Sequence, residues 1–281
     1  MRRMLCTLAV LIAASFCTLP AVLAATDDPI YRFHPGIHFS RKQCLTNHER
    51  RFILAELRSI TALDLHADED GNLTFTDHHP NGGSNTAREL IRAVIQSNDS
   101  FTIAATNHSN TVAFAQLESI LRYDDGMGNK HEDWQIRIDF ADFEELQGDK
   151  QALASFGPGF GVLHELVHAV VNYPDPLTES DQLGSCERFL NSIRAELGLP
   201  QRLIYYPMRQ LAVSRETQLP TFLGKLVFGW PEEMGRERKK MFVTFNLDRV
   251  CETRFRSSSS IGATTSYLSS EIKSGKTTIL E

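Results

Sequence analysis

Apolar residues recur at every third or fourth position in three stretches of the chain, residues 52–63, 86–96 and 113–123. At this spacing the apolar side chains share one face of a helix, because successive residues of an α-helix are rotated by about 100°. Each stretch is therefore predicted to form an amphipathic helix that packs against a core through that face.

Two more helices are predicted in the middle of the chain. The first lies between the Gly-Pro-Gly sequence at 157–159 and the Tyr-Pro pair at 173–174, since proline cannot continue a helix. The second is predicted to begin with Ser180 as its N-terminal cap and to end at Gly198. The short connection between them would make the two helices antiparallel neighbours.

Alternation of apolar and polar residues predicts strands elsewhere. It is most regular at residues 134–140, which we expect to lie at a sheet edge where an extended peptide can pair. Further strands are predicted at residues 101–106, 225–230 and 241–250, and a hairpin at residues 64–75. Together these helices and strands predict an α+β fold with a small mixed or antiparallel sheet.

The two ends of the chain differ in composition from the rest. Residues 1–24 have the charged start, apolar stretch and small residues of a removable export signal, and Pro20 interrupts the apolar run. The run is short for a membrane-spanning helix. Residues 257–281 are rich in Ser and Thr and are predicted to be disordered. These limits leave residues 25–256 as the predicted globular domain.

Charge and cysteine content argue against a nucleic-acid-binding protein and against a protein built on a disulfide framework. The chain carries a net charge of −6, and removal of Arg2 and Arg3 with the signal would make it −8, which argues against nucleic acid as a partner. After signal removal three cysteines would remain, Cys44, Cys186 and Cys251, so at most one internal disulfide can form. A Cys44–Cys251 bond would join the two ends of the domain.

The sequence His164-Glu165-Leu166-Val167-His168 is an HExxH motif on a predicted helix. Histidines four positions apart project from the same helical face and can bind one zinc ion. Glu165 lies about 100° around the helix from His164 and can reach a zinc-bound water as a general base. The motif therefore predicts one catalytic Zn²⁺ per chain, bound by His164 and His168.

A catalytic zinc also needs a third protein ligand. No histidine follows His168 in the sequence, so a carboxylate is expected. Glu187 is favoured because it lies inside the second predicted helix, and rigid elements hold ligands best; Glu179, in the preceding turn, is the alternative. Asn191 lies four residues after Glu187 and is expected to accept a hydrogen bond from a ligating histidine.

These residues carry a resemblance to known families. The sequence HELVHAVVNY at 164–173, with eighteen residues between His168 and Glu187, resembles the gluzincin class of zinc metallopeptidases, which includes thermolysin. Asn191 replaces the acidic residue of the thermolysin class at that position. Residues 191–202 (NSIRAELGLPQR) with Tyr205 resemble the NleD-like effector metallopeptidases of pathogenic bacteria. The resemblance implies a zincin-like fold in which the HExxH helix packs against a second, ligand-bearing helix.

Arg202 and Tyr205 form an Arg-x-x-Tyr sequence after the second helix. It is similar to the pair in clostridial neurotoxin light chains that lies beside the zinc. The resemblance implies that Arg202 and Tyr205 stabilise the oxyanion, and a guanidinium and a phenol are suitable donors for that charge. Tyr206 is adjacent, so the choice between the two tyrosines stays open.

Together the motifs predict a zinc-dependent endopeptidase that hydrolyses a protein or peptide substrate. Glu165 would accept the proton of the attacking water and pass it to the leaving amine. The effector resemblance implies a host protein as one class of substrate. Two alternatives stay open: a zinc-binding protein without turnover, and an exported interaction protein in which the HExxH helix only packs a core.

The destination follows from the predicted signal. A Sec-type signal predicts export to the periplasm or out of the cell, and the effector-like motifs extend this to delivery into a host cell. No stable membrane insertion is expected after the signal is removed.

Overall fold

Six α-helices and three small β-sheets form the part of the chain that the computed structural model describes. That part comprises residues 35–41, 45–76, 81–124, 127–177, 181–214, 218–230, 239–247, 249–250 and 278–279. Several predicted features lie outside the described residues: the signal at 1–24, the cap Ser180, the alternative ligand Glu179, Cys44, Cys251, and the tail 257–281 apart from two residues.

The helices and strands have the following bounds. The α-helices are α1 (Asn47–Thr61), α2 (Asn85–Ile95), α3 (Phe140–Glu144), α4 (Lys150–Leu153), α5 (Pro158–Leu166) and α6 (Gly184–Glu196), and a π-helical turn (Val167–Val171) continues α5. The strands are β1 (Gly36–Phe39), β2 (Asp64–Ala67), β3 (Leu73–Thr76), β4 (Ser100–Ala105), β5 (Ala115–Asp124), β6 (Lys130–Ile138), β7 (Gln147–Gly148), β8 (Gln201–Val213), β9 (Pro220–Gly229), β10 (Lys240–Asn246) and β11 (Thr278–Ile279). Over the described residues, no helix combines the length and apolar character that crossing a membrane requires.

The strands are divided among three sheets. The first sheet has the order β1-β4-β6-β5, the second β11-β8-β9-β10-β7, and β2 pairs only with β3. Strands β1, β4 and β6 are parallel, and β5 runs antiparallel to β6. Strands β8, β9 and β10 are antiparallel neighbours. Small separate sheets combined with helices make the fold α+β, which confirms the coarse fold prediction.

Helix α1 is specified by its cap and by its apolar face. The side chain of Thr46 accepts a hydrogen bond from the Glu49 amide, and the Glu49 carboxylate accepts one from the Thr46 amide, which forms a capping box. Ile53 and Leu57, four residues apart, are fully buried. They belong to the same core as Ile103 of β4, so the amphipathic pattern identified the buried face.

Two hydrophobic cores are present in the described residues. The larger one joins α1, α2, α5 and α6 to the first sheet. The smaller one lies on the second sheet and contains Phe114, Phe228, Val243 and Phe245. Phe143 packs against both cores, so the segment around it connects the two sheets.

Most predicted elements are confirmed. Helices α1, α2, α5 and α6 correspond to the helices predicted at 52–63, 86–96, 157–173 and 180–198, and β2, β3, β4, β6, β9 and β10 correspond to the predicted hairpin and strands. The observed bounds differ from the predicted ones by several residues. The most important difference is that α6 begins at Gly184 rather than at Ser180.

The helix predicted at residues 113–123 is wrong, because this segment forms strand β5. Its apolar residues follow a helical spacing, yet Ile120 and Leu121 are both about half exposed at the edge of the sheet. A register shift between Ser119 and Leu121 in the pairing with β6 disturbs the period-two pattern. Pairing with β6 therefore outweighed the local helical pattern.

The prediction that residues 134–140 form an edge strand is also wrong. Strand β6 lies between β4 and β5, and β5 occupies the edge. Strand β8 was not predicted, since Pro207 and two register shifts against β9 hide its alternation. From the predicted disordered tail, β11 pairs in parallel with the end of β8.

Candidate metal centre

The helix that carries the motif begins at a glycine-rich sequence. Gly157 is the N-cap of α5 and Pro158 is its first residue. Glu56 of α1 accepts a hydrogen bond from the Gly159 amide, and a carboxylate is favourable at the positive end of a helix. A β-carbon at Gly159 would lie 2.8 Å from the β-carbon of Glu56. Glycine therefore allows α1 to approach and orient the start of α5.

The two motif histidines lie together at the other end of this helix. His164 is in the last turn of α5 and His168 is in the π-helical turn. Their rings are nearly perpendicular, and their Nε2 atoms are 3.0 Å apart. His168 Nδ1 lies 2.6 Å from the carbonyl oxygen of Tyr173, so it carries the ring proton and leaves the Nε2 lone pair free for a cation.

Asp175, which the sequence pattern did not indicate, completes this cluster. Asn172, with a left-handed φ of 56°, ends the π-helical turn, and Pro174 follows. The chain then turns back so that Asp175 Oδ1 lies 3.3 Å from His164 Nε2 and 3.4 Å from His168 Nε2. This oxygen is buried, and the described residues provide no aligned hydrogen-bond donor for it. It is therefore available to bind a cation.

The three atoms fit a zinc ion. Ligands about 2.0–2.1 Å from a tetrahedral zinc lie about 3.3 Å from one another. The observed separations are 3.0, 3.3 and 3.4 Å. Two imidazole nitrogens and one carboxylate oxygen suit zinc, and three protein ligands leave a fourth position for water or substrate.

Electrostatics also favour a cation at this position. Burial would raise the pKa of Asp175, but the two imidazoles and the Tyr205 hydroxyl hold it well below its ordinary range, so the carboxylate is charged. Burial would lower the pKa of His168, but Asp175 raises it above the ordinary value. The carboxylate thus stabilises positive charge between itself and the rings.

Glu187, the ligand favoured from the sequence, lies behind His164. Its Oε2 atom is 3.8 Å from His164 Nδ1, whereas Asp175 faces Nε2. Glu187 is fully buried and forms ion pairs with Arg194 and Arg202. Burial would raise its pKa, but the two guanidinium groups hold it below its ordinary value. The structure therefore places Asp175 between the two Nε2 atoms and Glu187 on the Nδ1 side of His164.

The shifted start of α6 explains this difference. Because α6 begins at Gly184, Glu187 lies in its first turn rather than in its interior. Gly184 has a φ of 68°, and a β-carbon there would lie 2.5 Å from the Pro176 nitrogen, so the segment that carries Asp175 packs directly on the helix start. The sequence signal for Asp175 was a carboxylate immediately after the proline that ends the motif helix.

Asn191 and Arg202 hold α6 to β8. The Asn191 side chain donates to the Arg202 carbonyl at 2.8 Å and accepts from the Arg202 amide at 2.9 Å. The Arg202 guanidinium donates to Glu187 and to the carbonyl oxygens of Ile204 and Tyr205. In the structure Asn191 therefore binds Arg202 rather than a histidine, and each guanidinium nitrogen of Arg202 donates to an acceptor within the protein.

Of the two adjacent tyrosines, Tyr205 faces the metal centre. Its ring stacks on His164 with centroids 6.1 Å apart, and its hydroxyl is buried beside the charge of Asp175. Burial and the Asp175 charge raise its pKa well above the ordinary value, so it remains a hydrogen-bond donor. Tyr206 instead donates to the Pro176 carbonyl at 2.8 Å and anchors the segment that carries Asp175.

Cys186 adds a sulfur to the cluster. One potential ligand atom from each of His164, His168, Asp175 and Cys186 lies within 4.8 Å of the others. The sulfur is 3.5 Å from His164 Nδ1, on the opposite side of the ring from Nε2. Burial and neighbouring carboxylates raise the pKa of the thiol, which keeps it protonated and a poor ligand.

A cavity of about 480 Å³ opens beside these residues. His164, His168 and Asp175 line one part of it, and Glu165 and Tyr205 lie beside them. Glu165 is buried on α5, next to His164. Apolar side chains line most of the remaining wall. A ligand in this cavity would contact the ligand triad, a carboxylate and a phenol together.

Comparisons of the chain with protein-family models, with curated proteins and with solved structures found no match.

Proposed function

We propose that the chain is a zinc-dependent endopeptidase of zincin-like architecture, with one zinc bound by His164, His168 and Asp175. The observation that carries this proposal is the convergence of these three ligand atoms, 3.0–3.4 Å apart, at the wall of a cavity that also contains Glu165. Closed structural sites use four protein ligands, whereas three ligands beside a cavity are typical of catalytic zinc.

The surrounding residues supply the other parts of the reaction. Bound zinc supplies a Lewis acid that polarises a carbonyl and lowers the pKa of water. Glu165 accepts the proton from the attacking water and transfers it to the leaving amine. Tyr205, kept protonated by its surroundings, donates a hydrogen bond to the oxygen that becomes negatively charged. Glu187 holds His164 in place, and Arg202 holds Glu187 and the Tyr205 backbone.

Strand β5 supports an extended polypeptide as the substrate. It is the outer strand of the first sheet, and Ala115 and Leu117 of this strand line the cavity. An edge strand can add one more strand through backbone hydrogen bonds. A peptide paired with β5 would pass beside the metal centre, so β5 takes the role that was predicted for residues 134–140.

Substitution of the general base tests this proposal. The full chain, loaded with one equivalent of zinc, should cleave a mixed peptide library, with cleavage read by mass spectrometry. Glu165→Gln should retain zinc and lose at least about 10³-fold in kcat/KM, since the base is removed and the ligands remain. Glu144→Gln, an exposed carboxylate on α3, is the matched control and should cleave normally. Normal cleavage by Glu165→Gln would refute the mechanism.

A second candidate is a zinc-binding protein without turnover. The proximity of Cys186 to the other three residues favours it, because two histidines, an aspartate and a cysteine could form a closed structural site. The same experiment separates the two functions. Stoichiometric zinc with no cleavage of any peptide in the library would support the structural site over the peptidase.

A further inference from the structure

The cavity beside the metal centre has a mainly aromatic and aliphatic wall away from the ligands. Six large apolar side chains contribute to it: Phe114, Phe143, Phe156, Phe160, Leu190 and Leu226. Phe143 and Phe156 line the cavity and are only half-buried. This wall is available to bind an apolar group.

The phenylalanines are already arranged edge to face. Phe114 meets Phe143 with ring centroids 5.3 Å apart and Phe156 with centroids 5.1 Å apart, at interplanar angles of 63° and 78°. Aromatic rings favour this geometry at separations of about 4.5–7 Å. An aromatic side chain entering the cavity could add to the cluster in the same way.

Two arginines also line the cavity, and both of them bind acceptors within the protein. Arg194 donates to Glu187, Asn191 and the Ser155 carbonyl. Arg202 uses all three of its guanidinium nitrogens within the protein. An acidic substrate group would gain little from the apolar side chains that form most of the remaining wall.

We propose that this cavity is the specificity pocket of the peptidase. It receives a large apolar side chain, aromatic in preference to aliphatic, from one of the two residues that flank the scissile bond. The proposal rests on the proposed function for the position of that bond, and on the cavity wall for the selectivity. The substrate class is thus an extended polypeptide with an aromatic residue at the cleavage site.

Matched peptides test the selectivity. Cleavage sites of the zinc-loaded full chain are first mapped in a random peptide library, and one cleaved sequence is then synthesised with Phe, Leu, Ala or Asp at the selected flanking position. We expect kcat/KM to fall in the order Phe, Leu, Ala, Asp, with Phe above Ala by about 100-fold. Equal cleavage of the Phe and Ala peptides would overturn the pocket and leave the peptidase proposal standing.

A binding measurement separates the pocket from the chemistry. Zinc-loaded Glu165→Gln is titrated with a fluorescent peptide carrying Phe or Ala at each central position, and binding is read by anisotropy. Tighter binding of a Phe peptide by about 10-fold or more supports the pocket even if the unsubstituted chain cleaves nothing, which would refute only the peptidase. Absence of both cleavage and binding preference would overturn both proposals.

A pair of Phe→Leu variants locates the effect. Phe143→Leu replaces a ring of the cavity wall, and we expect it to reduce the ratio of Phe-peptide to Leu-peptide kcat/KM by about fivefold, the value of one aromatic contact. Phe52→Leu makes the same change on the exposed side of α1 and should leave the ratio unchanged. Thermal melting of both variants checks that they are folded. A ratio unchanged in Phe143→Leu would place the specificity elsewhere.

Discussion

At the scale of single residues, the proposed metal centre contains two carboxylates in different positions. Asp175 faces the Nε2 atoms of both histidines, whereas Glu187 lies on the Nδ1 side of His164 and is neutralised by two arginines. A ligand contacts the metal directly, but an orienting residue acts only through the imidazole. The two roles therefore predict different losses of zinc affinity.

Substituting these carboxylates separates the roles. We expect Asp175→Asn to weaken zinc binding by more than about 10³-fold, because it removes a ligand, and Glu187→Gln by about 10–100-fold, because it disturbs only the orientation of His164. Competition with a chromophoric chelator measures both affinities. Glu144→Gln, an exposed carboxylate on α3, is the control and should bind zinc as tightly as the unsubstituted chain. A larger loss in Glu187→Gln than in Asp175→Asn would restore Glu187 as the third ligand.

At the scale of elements, the metal centre depends on how three segments end or begin. Helix α5 begins against α1, the π-helical turn ends at Asn172, and α6 begins against Pro176. The first two place the histidines, and the third places Asp175 opposite them. A change at the start of α5 should therefore affect stability through packing rather than through helix propensity.

Gly159→Ala tests the close approach of α1 and α5. In an open helix this substitution is favourable by up to about 1 kcal/mol. Here the new methyl would lie 2.8 Å from the β-carbon of Glu56, so we expect a loss of about 1–3 kcal/mol in the free energy of unfolding. Gly161→Ala, which meets its nearest atom at 3.3 Å, should lose less. Denaturant unfolding measures both, and a stabilised Gly159→Ala variant would contradict the packing argument.

At the scale of the whole molecule, a buried carboxylate holds the segment that connects the two sheets. Asp142 accepts a hydrogen bond from the Phe114 amide at 2.9 Å, and Phe114 has a left-handed φ of 61°. Burial raises the pKa of Asp142 to about 7, with a smaller contribution from the charge of Asp139, and the Phe114 amide opposes this only in part. The folded state thus binds a proton more tightly than the unfolded chain, whose aspartate pKa is about 3.9.

The consequence is a loss of stability as pH rises. Between pH about 4 and about 7 the folded state holds more protons, so the free energy of unfolding decreases with pH across this window. The Asp142→Asn side chain cannot ionise. Between pH 5 and pH 8 we therefore expect its free energy of unfolding to decrease by on the order of 2 kcal/mol less than that of the unsubstituted chain. Urea unfolding in the presence of a chelator measures this difference.

Asp149→Asn is the matched control for this measurement. Asp149 also accepts one backbone hydrogen bond, from the Phe242 amide at 2.8 Å, but its carboxylate is exposed. It should keep the pH dependence of the unsubstituted chain. If Asp142→Asn also kept the pH dependence of the unsubstituted chain, ionisation of the buried Asp142 would not be the cause of that pH dependence.

The sequence by itself determined the elements whose pattern and chemistry are local. Helix α1 could be recognised from its apolar spacing and the helix around the motif from its flanking prolines and glycines, because burial of one helical face and the covalent limits of proline act within a few residues. The pairing of His164 and His168 follows for the same reason, since four residues along a helix bring two side chains together.

Only the tertiary structure decided what depends on distant partners. Residues 113–123 have a helical pattern but form β5, because pairing with β6 stabilises a strand more than the local pattern stabilises a helix. Asp175 lies beside Nε2 of His164 after the chain turns back at the end of the motif helix, whereas Glu187 lies on the Nδ1 side, where two arginines neutralise its charge. A sequence records which groups can bind zinc, but their selection depends on distances and burial that arise only when the segments pack.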